Sequence, residues 1–140
     1  MTNDPNFADW LAICNVKADY CRLLDLKDWE GWKQLFTEDV EIDTTGSGGE
    51  ITRDRDSFVA SVSQSLARAK TAHQVHSPLI EIDGDEAHVI WAMQDRVVWE
   101  DRALTGYGHY TERYVRTADG WKIARQALTR LIMDMEGEFV

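Results

Sequence analysis

Basic residues, cysteines and long apolar runs are all scarce in this sequence, and each shortage excludes a class of protein. Fifteen Lys and Arg residues stand against 25 Asp and Glu residues, so the formal net charge is −10 at pH 7 with His neutral. Nucleic acids and anionic membrane surfaces attract basic patches, and no Lys/Arg cluster of useful size is present. The charge balance therefore argues against nucleic acids, membranes and polyanionic substrates as partners.

The two cysteines, Cys14 and Cys21, do not form a disulfide framework. They lie seven residues apart in one predicted helix, which separates their Cα atoms by about 10 Å, too far for a disulfide bond. Reduced thiols are typical of a reducing compartment. The segment Met1–Pro5 is polar, unlike a secretion signal, and no apolar run approaches the roughly 20 residues of a membrane span. We therefore expect a cytoplasmic protein.

The apolar content is high enough for one well-packed domain, which we place at residues 1–140. Apolar residues at helical intervals predict a long first helix from about Phe7 to Leu26. Asp28 is a good N-cap for a second, short helix. Asp54 or Asp56 caps a third helix.

The second half of the chain changes from helical to alternating periodicity, which predicts β-strands. A short strand is expected at 40–43 and a glycine-containing loop at 44–53, followed after the third helix by long strands at 71–82, 87–99, 104–115 and 121–133. Helices followed by an antiparallel meander predict an α+β fold with the helices on one face of a curved sheet. The apolar interior of such a fold can hold a small molecule.

Asp25 is the most unusual polar residue in the helical half. It follows two leucines at the end of the first helix, where a negative charge opposes the helix dipole, so a partner is expected. Tyr20, five residues earlier, is about 140° away around the helix axis. Both side chains face one pocket only if the helix ends or bends near Leu24.

Three further residues in the strand region are candidates for catalysis, namely His73, Arg130 and His109. His73 and His76 are three apart in one predicted strand and so face opposite sides, which argues against a joint metal site. Arg130 alternates with mostly apolar or neutral residues, so it needs a partner. A substrate oxygen or Asp25 would serve, and a salt bridge at the rim of the cavity is the alternative. His109 alternates with Tyr107 in a polar series that is suited to the mouth of a cavity.

Several segments, taken together and in order, resemble the SnoaL-like branch of the nuclear-transport-factor-like fold. They are Tyr20-x4-Asp25-x2-Asp28-Trp29, Phe36-Thr-Glu-Asp39, His73…Pro78-x-Ile80-x-Ile82-Asp-Gly84-Asp-x-Ala87 and Asp119-Gly120-Trp121-Lys-Ile123. The resemblance implies a cone-shaped α+β fold, in which a curved, mostly antiparallel sheet wraps around a long N-terminal helix and two shorter helices.

Within that branch the chain is most similar to the cofactor-free lyases scytalone dehydratase, bile-acid 7α-dehydratase and hexachlorocyclohexane dehydrochlorinase. The resemblance implies that Asp25 and His73 form the catalytic dyad. The bile-acid enzyme adds a tyrosine and an arginine, matched by Tyr20 and Arg130, and scytalone dehydratase adds a second histidine, matched by His109. The tyrosine that precedes the Asp in scytalone dehydratase is replaced here by Leu24.

These observations predict a lyase that eliminates water from a small hydroxylated cyclic or aromatic compound without a cofactor or metal. His73, oriented by Asp25, would take a proton from carbon, and Tyr20, Arg130 or His109 would polarise a carbonyl or protonate the leaving hydroxyl. The residues expected to contact the substrate are Trp29, Trp91, Tyr107, Tyr110 and Leu128.

Other functions stay open at this point. The same dyad suits an isomerase, a dehydrohalogenase or a carbon–carbon lyase that releases a one-carbon fragment. The fold also suits a non-catalytic binding module or the small subunit of a ring-hydroxylating oxygenase. Because the open side of such a sheet usually needs covering, we expect a homo-oligomer; the lyase resemblance favours a trimer, with a dimer next.

Overall fold

The computed structural model describes residues 5–137, which form three helices and six strands. Most of the segment Met1–Pro5, whose polarity argues against a secretion signal, lies outside that range. The elements are α1 (Pro5–Asp25), α2 (Trp29–Lys33), β1 (Phe36–Gly46), β2 (Ile51–Thr52), α3 (Arg55–Leu66), β3 (Lys70–Asp83), β4 (Glu86–Val98), β5 (Arg102–Thr117) and β6 (Gly120–Gly137). None of the helices in the described range is long and apolar enough to cross a membrane.

The six strands form one mixed sheet in the order β2-β1-β6-β5-β4-β3. Strands β3 to β6 are an antiparallel meander, while β1 runs parallel to β6. The predicted α+β class and mostly antiparallel sheet are therefore confirmed. The prediction was wrong at 44–53, where β1 continues to Gly46 and pairs with β2 instead of leaving a loop. The backbone polar groups there are satisfied by the neighbouring strand, since Thr44 N donates to Glu50 O at 3.0 Å.

Helix α1 packs one face, a stripe of buried side chains, against the sheet. Ile13, Lys17, Tyr20 and Leu24 are buried, at spacings of four, three and four residues that keep them on one helical face. This stripe fixes α1 against the sheet, and its last residue, Asp25, lies next to the first residues of β3.

The end of α1 is defined by its capping. Lys27 adopts a left-handed conformation with φ of 60°, its amide donates to Leu24 O at 3.0 Å, and the Asp28 amide donates to Leu23 O at 2.9 Å. This hydrogen-bond pair is a Schellman motif, which stops a helix sharply. Asp28 then caps α2 by accepting from the Gly31 amide at 3.0 Å, as predicted. The two caps hold Asp25 in place at the turn between the helices.

Asp54, of the two predicted candidates, caps α3. Its carboxylate accepts hydrogen bonds from the Ser57 amide at 2.9 Å and from the Ser57 hydroxyl at 2.6 Å. Asp56 lies in the first turn of the helix and pairs with Lys33 at 3.2 Å. These contacts anchor the N-terminal end of α3, which lies beside the sheet and leaves a cavity beneath it.

Candidate active site

A cavity of about 670 Å³ lies between α3, the β1–β2 hairpin and the inner face of the sheet. Its apolar wall comes from α3 and from the strands, and consists mainly of Phe58, Val62, Leu66, Val97, Trp99 and Leu104. Three ionisable side chains of the sheet, His73, Asp95 and Arg130, line its polar side. This volume and mixture of groups suit a small ring compound that carries a few polar substituents.

Asp25 and His73 are brought together at the polar side of the cavity, as predicted. His73 Nδ1 is 2.7 Å from Asp25 Oδ1, and the His73 amide donates to Asp25 Oδ2 at 2.8 Å. The Thr71 hydroxyl donates to Asp25 Oδ1 at 2.8 Å. The His73 side chain is only 8% exposed. The carboxylate is therefore held at three points and in turn holds the imidazole in one orientation.

The pKa of Asp25 shows which form of the carboxylate makes these contacts. Burial acts to raise this pKa, but the hydrogen bonds from the His73 ring, the His73 amide and the Thr71 hydroxyl outweigh it, and the pKa lies below its usual range. An ionised carboxylate only accepts hydrogen bonds, so Nδ1 of His73 carries a proton. In neutral His73 the lone pair is then on Nε2, which has no hydrogen-bond partner among the described residues and is free to act as a base.

The depressed pKa of Asp25 predicts how acid affects stability. A carboxyl whose folded pKa is lowered stabilises the fold above its unfolded pKa of about 3.9, and this contribution is lost as the pH falls through the folded pKa. We expect the free energy of unfolding of wild type to exceed that of Asp25→Asn at pH 7, and the gap to shrink towards pH 3. Urea unfolding of both proteins at the two pH values checks this; a gap that widens in acid would contradict it.

Arg130 and Asp95 form a second pair beside the dyad. Arg130 Nη1 and Nη2 donate to the two Asp95 carboxylate oxygens at 2.6 and 2.9 Å, and Nε donates to Ser47 Oγ at 3.1 Å. Burial acts to lower the pKa of Arg130, but the hydrogen bonds and charge of Asp95 raise it. Asp95 is also the cross-strand neighbour of His73 in the pairing of β3 with β4. Arg130 thus finds the partner that it needs in Asp95 and not in Asp25.

Gly106 makes room for this pair. It lies opposite Asp95 on β5, and a Cβ atom added to it would overlap the Arg130 guanidinium and crowd the Asp95 carboxylate. A glycine in a strand interior often marks such a close approach.

We expect Gly106→Ala to displace the Arg130 guanidinium and to reduce the free energy of unfolding by about 1–3 kcal/mol through overpacking. Urea unfolding measures the loss, and a crystal structure of the variant shows the displacement. Thr111→Ala, on the exposed face of the same strand, is the control and should change stability by less than about 0.5 kcal/mol. An undisturbed pair in Gly106→Ala would contradict the assignment.

A buried polar cluster contains Tyr20, which the structure does not bring to the cavity lining. Lys17 Nζ donates to Glu112 at 2.7 Å, and Glu112 also accepts from Gln126 Nε2 at 2.6 Å and Tyr114 OH at 2.7 Å. The Tyr20 hydroxyl donates to Gln126 Oε1 at 3.2 Å. Burial raises the pKa of Tyr20 far above its usual range. Because α1 stays helical through Asp25, Tyr20 lies on the core side of the helix, about 140° around the axis from Asp25.

The other predicted site residues also lie away from the cavity lining. On β5, Leu104 and Gly106 face inward, so His109 and Tyr107 lie on the opposite, outer face of the sheet. The remaining four contribute to the core or its edge. Trp91 and Tyr110 are buried, Leu128 packs against the core, and the half-buried Trp29 contacts Trp32 edge to face.

His76 does not join His73. It is exposed, and its Nδ1 contacts the Ser77 hydroxyl at 3.0 Å. Within residues 5–137, no three His, Cys, Asp or Glu side chains come together in a cluster that could hold a metal ion.

Asp95 is the functional candidate that the sequence reasoning missed. A signal for it exists, because Trp91, Met93, Asp95 and Val97 alternate along β4 and all are buried. A carboxylate in an otherwise apolar inward series requires a partner, just as Arg130 does on β6. Asp95 lies on β4 and Arg130 on β6, with β5 between them. Predicting their contact from sequence requires the register of all three strands, which periodicity does not provide.

Comparison with known proteins gives the family and the fold. The family model of the SnoaL-like domain matches residues 6–127. The structure of an aromatic ring hydroxylase candidate from Novosphingobium aromaticivorans is 26% identical, with a TM-score of 0.86 over 94% of each chain.

Two further structures show the same fold at lower identity. A scytalone dehydratase candidate from Novosphingobium aromaticivorans is 22% identical, with a TM-score of 0.87 over 99% of this chain and 93% of the other. A hexachlorocyclohexane dehydrochlorinase from Novosphingobium barchaimii is 15% identical, with a TM-score of 0.81 over 96% of this chain and 94% of the other. The resemblance that the sequence motifs predict is confirmed.

Proposed function

Since the chain belongs to the SnoaL-like domain family, we propose that it is a cofactor-independent lyase that eliminates water from a small hydroxylated cyclic or aromatic compound. The observation that carries this proposal is the 2.7 Å contact between His73 Nδ1 and Asp25 Oδ1 at the wall of a cavity. A histidine held by a carboxylate is a suitable base for a carbon-bound proton near neutral pH. The dehydratase candidate and the dehydrochlorinase with the same fold add support for elimination chemistry.

The proposed reaction begins at His73. Nε2 takes a proton from the carbon next to a carbonyl, and the electron pair of the broken C–H bond moves onto the carbonyl oxygen. Nη1 of Arg130 also contacts Met93 Sδ at 3.8 Å, so one guanidinium N–H, on Nη2, remains beyond those given to Asp95, Ser47 and Met93, and this group stabilises that oxygen. The electron pair then forms the carbon–carbon double bond as the hydroxyl leaves, and the His73 imidazolium returns its proton to give water. Asp25 stabilises the imidazolium throughout.

Tyr20 and His109 have no step in this scheme. The Tyr20 hydroxyl donates to Gln126 within the core, and His109 lies on the outer face of the sheet. Their expected roles are taken over by groups at the cavity: Arg130 polarises the carbonyl, and His73 itself protonates the leaving group. One base that is oriented by a carboxylate can perform both proton transfers, because the proton removed from carbon is the proton that leaves with hydroxide.

A turnover screen tests the proposal. Wild type, His73→Ala and His76→Ala are incubated with hydroxylated ketones of one to three rings, and formation of the conjugated enone is followed by its ultraviolet absorbance. We expect turnover by wild type and by His76→Ala, and a loss of at least about 10²-fold in His73→Ala. Equal turnover by His73→Ala would remove the dyad from the mechanism. Chlorinated and double-bond-shifted analogues in the same panel identify a dehydrohalogenase or an isomerase.

We also propose that copies of this chain associate through the outer face of the sheet and that the protein acts in the cytoplasm. Large apolar side chains are exposed on the strands there, namely Leu79, Ile90, Tyr107 and Ile132. They form two cross-strand pairs, Leu79 with Ile90 and Tyr107 with Ile132, and apolar pairs exposed on one sheet face favour an interface. The two free thiols agree with a reducing compartment.

Light scattering after gel filtration is expected to give the mass of a trimer, with a dimer as the next expectation. Ile90→Lys places a charge within the proposed interface and should shift the mass towards one 16.1 kDa protomer. Gln64→Lys, at an exposed position on α3 and away from the outer face of the sheet, is the control for an added lysine. A monomeric wild type would contradict this proposal.

A further inference from the structure

The charges around the cavity are unbalanced towards negative. Among the described residues that line it, Arg130 is the only Lys or Arg, and both oxygens of Asp95 are paired with its guanidinium. Glu50 lines the cavity from the β1–β2 hairpin and is exposed, with no ion pair within the described range. Asp25 stands directly behind His73.

The excess of negative charge around the cavity is largest when His73 is neutral, which is the form that acts as a base. His73 is then neutral, Asp95 compensates Arg130, and the negative charges of Asp25 and Glu50 are left without a cationic partner. Arg130 can still donate a hydrogen bond, but its charge is already neutralised by a partly buried carboxylate at 2.6 Å. An incoming anion would meet two like charges and no free cation. The repulsion is least screened at the half-buried Asp25 and is partly screened by solvent at the exposed Glu50.

We propose that this cavity admits uncharged substrates and discriminates against carboxylates and phosphates, with Glu50 and the neutralised Arg130 as the residues that set this preference. The substrate class is then a neutral ring compound whose oxygen is recognised by hydrogen bonding alone. The inference rests on the proposed function only in taking this cavity as the substrate site. It adds a preference for uncharged ligands, which does not follow from the contact between Asp25 and His73.

The polar residues on the other walls agree with this preference. Thr52 on the hairpin and Ser61 and Ser65 on α3 line the cavity, whereas the hydroxyl of Thr44 is engaged with the Glu50 backbone. Hydroxyls donate and accept hydrogen bonds without adding charge, so they suit the hydroxyl and carbonyl groups of a neutral ligand. The two serines lie on α3, across the cavity from the sheet, which allows a ligand to be held at both of its ends.

Calorimetric titration with a matched pair of probes tests the proposal at pH 7.5. The pair is a methyl hydroxynaphthoate and the corresponding hydroxynaphthoic acid, which share one ring system and differ in a single negative charge. We expect wild type to bind the ester at least about tenfold more tightly than the acid, a difference of 1.4 kcal/mol. An acid that binds as tightly as the ester, or an ester that does not bind, would overturn the proposal.

Three variants assign the effect to its residues. Glu50→Gln is expected to reduce the ester-to-acid preference about threefold, a change of the size expected for one partly screened charge. Asp95→Asn frees the Arg130 charge and should reduce the preference further. Glu81→Gln changes the net charge equally but lies on the outer face of β3, so it should leave the ratio unchanged. Equal ratios in Glu50→Gln and Glu81→Gln would refute the role of Glu50.

Binding and turnover are measured separately, so the two proposals fail in different ways. If wild type prefers the ester but shows no turnover that depends on His73, the proposed lyase activity is refuted and the proposed preference for uncharged ligands stands. If the protein turns over anionic substrates in a reaction that depends on His73, the preference for uncharged ligands is refuted and the catalytic role of the dyad stands.

Discussion

Asp25→Asn is expected to lower kcat of the elimination by about 10²- to 10⁴-fold, with little change in KM. The substitution keeps the size of the side chain and removes two of its functions. An amide does not stabilise the imidazolium that forms when His73 takes the proton. Its N–H group can also donate to Nδ1, which moves the imidazole proton to Nε2 and blocks the base. Both losses act after the substrate has bound, so they appear in kcat.

Asp28→Asn is the matched control for this experiment. Asp28 lies three residues later and caps α2, and asparagine is an equally good N-cap. The control therefore makes the same chemical change at the same end of α1 without touching His73. Steady-state kinetics on a substrate from the turnover screen, with circular dichroism to compare the folds, measures the effect. Wild-type kcat in Asp25→Asn would show that the contact with His73 has only a structural role.

Imidazole rescue separates a missing base from a damaged cavity. In His73→Ala, added imidazole can occupy the vacated space next to Asp25 and restore part of the activity. Little rescue is expected in the double variant His73→Ala with Asp25→Asn, because the carboxylate that would orient the imidazole is absent. Rescue of equal size in both would show that Asp25 does not orient the base.

The dyad and the fold were predictable from the sequence because their signals are local or carried by motifs. The change from helical to alternating periodicity near Lys70 marks the start of the β-meander, and the structure places β3 from Lys70 to Asp83. The position of Asp25 at the end of an apolar helical stripe indicates a carboxylate that needs a partner. The resemblance then indicates His73, and the structure brings the two together at 2.7 Å.

The remaining site residues were not predictable because their positions depend on strand register. Alternation shows that His109 and Tyr107 share a face, but it does not show whether that face is inner or outer. The pairing of β5 with β6 shifts between Tyr107 and Gly108, so counting from Arg130 across the sheet gives the wrong partner. The parallel pairing of β1 with β6 was also not predictable, because it is a tertiary feature that no local pattern in residues 36–46 indicates.

Lys17 shows that part of the missed information was present in the sequence. It occupies a position in the buried stripe of α1, four residues after Ile13 and three before Tyr20. A lysine on such a face is buried only with a counter-charge, and Glu112 alternates with Tyr110 and Tyr114 on β5 as a matching acidic residue. Recognition of the two together would have predicted a buried ion pair and would have placed Tyr20 with it in the core.

Breaking this pair is expected to have the largest effect on stability. Lys17 and Glu112 side chains are both 0% exposed, and Lys17 Nζ is 2.7 Å from Glu112 Oε2. Lys17→Met leaves a buried carboxylate without its cation, and Glu112→Gln leaves a buried ammonium group without its anion. Each single substitution should reduce the free energy of unfolding by about 3–5 kcal/mol. Urea unfolding followed by tryptophan fluorescence measures the change.

The double variant separates the cost of an unpaired charge from the contribution of the pair itself. Lys17→Met with Glu112→Gln leaves no charge in this buried cluster, and the glutamine can still accept from Tyr114, so the double variant should be more stable than either single variant. Arg113→Met is the control. It breaks a pair with Glu86 at the surface, where both side chains are more than a third exposed, and it should cost no more than about 1 kcal/mol. Additive losses in the double variant would mean that the two side chains stabilise the core independently, through packing, and that their charges are not coupled.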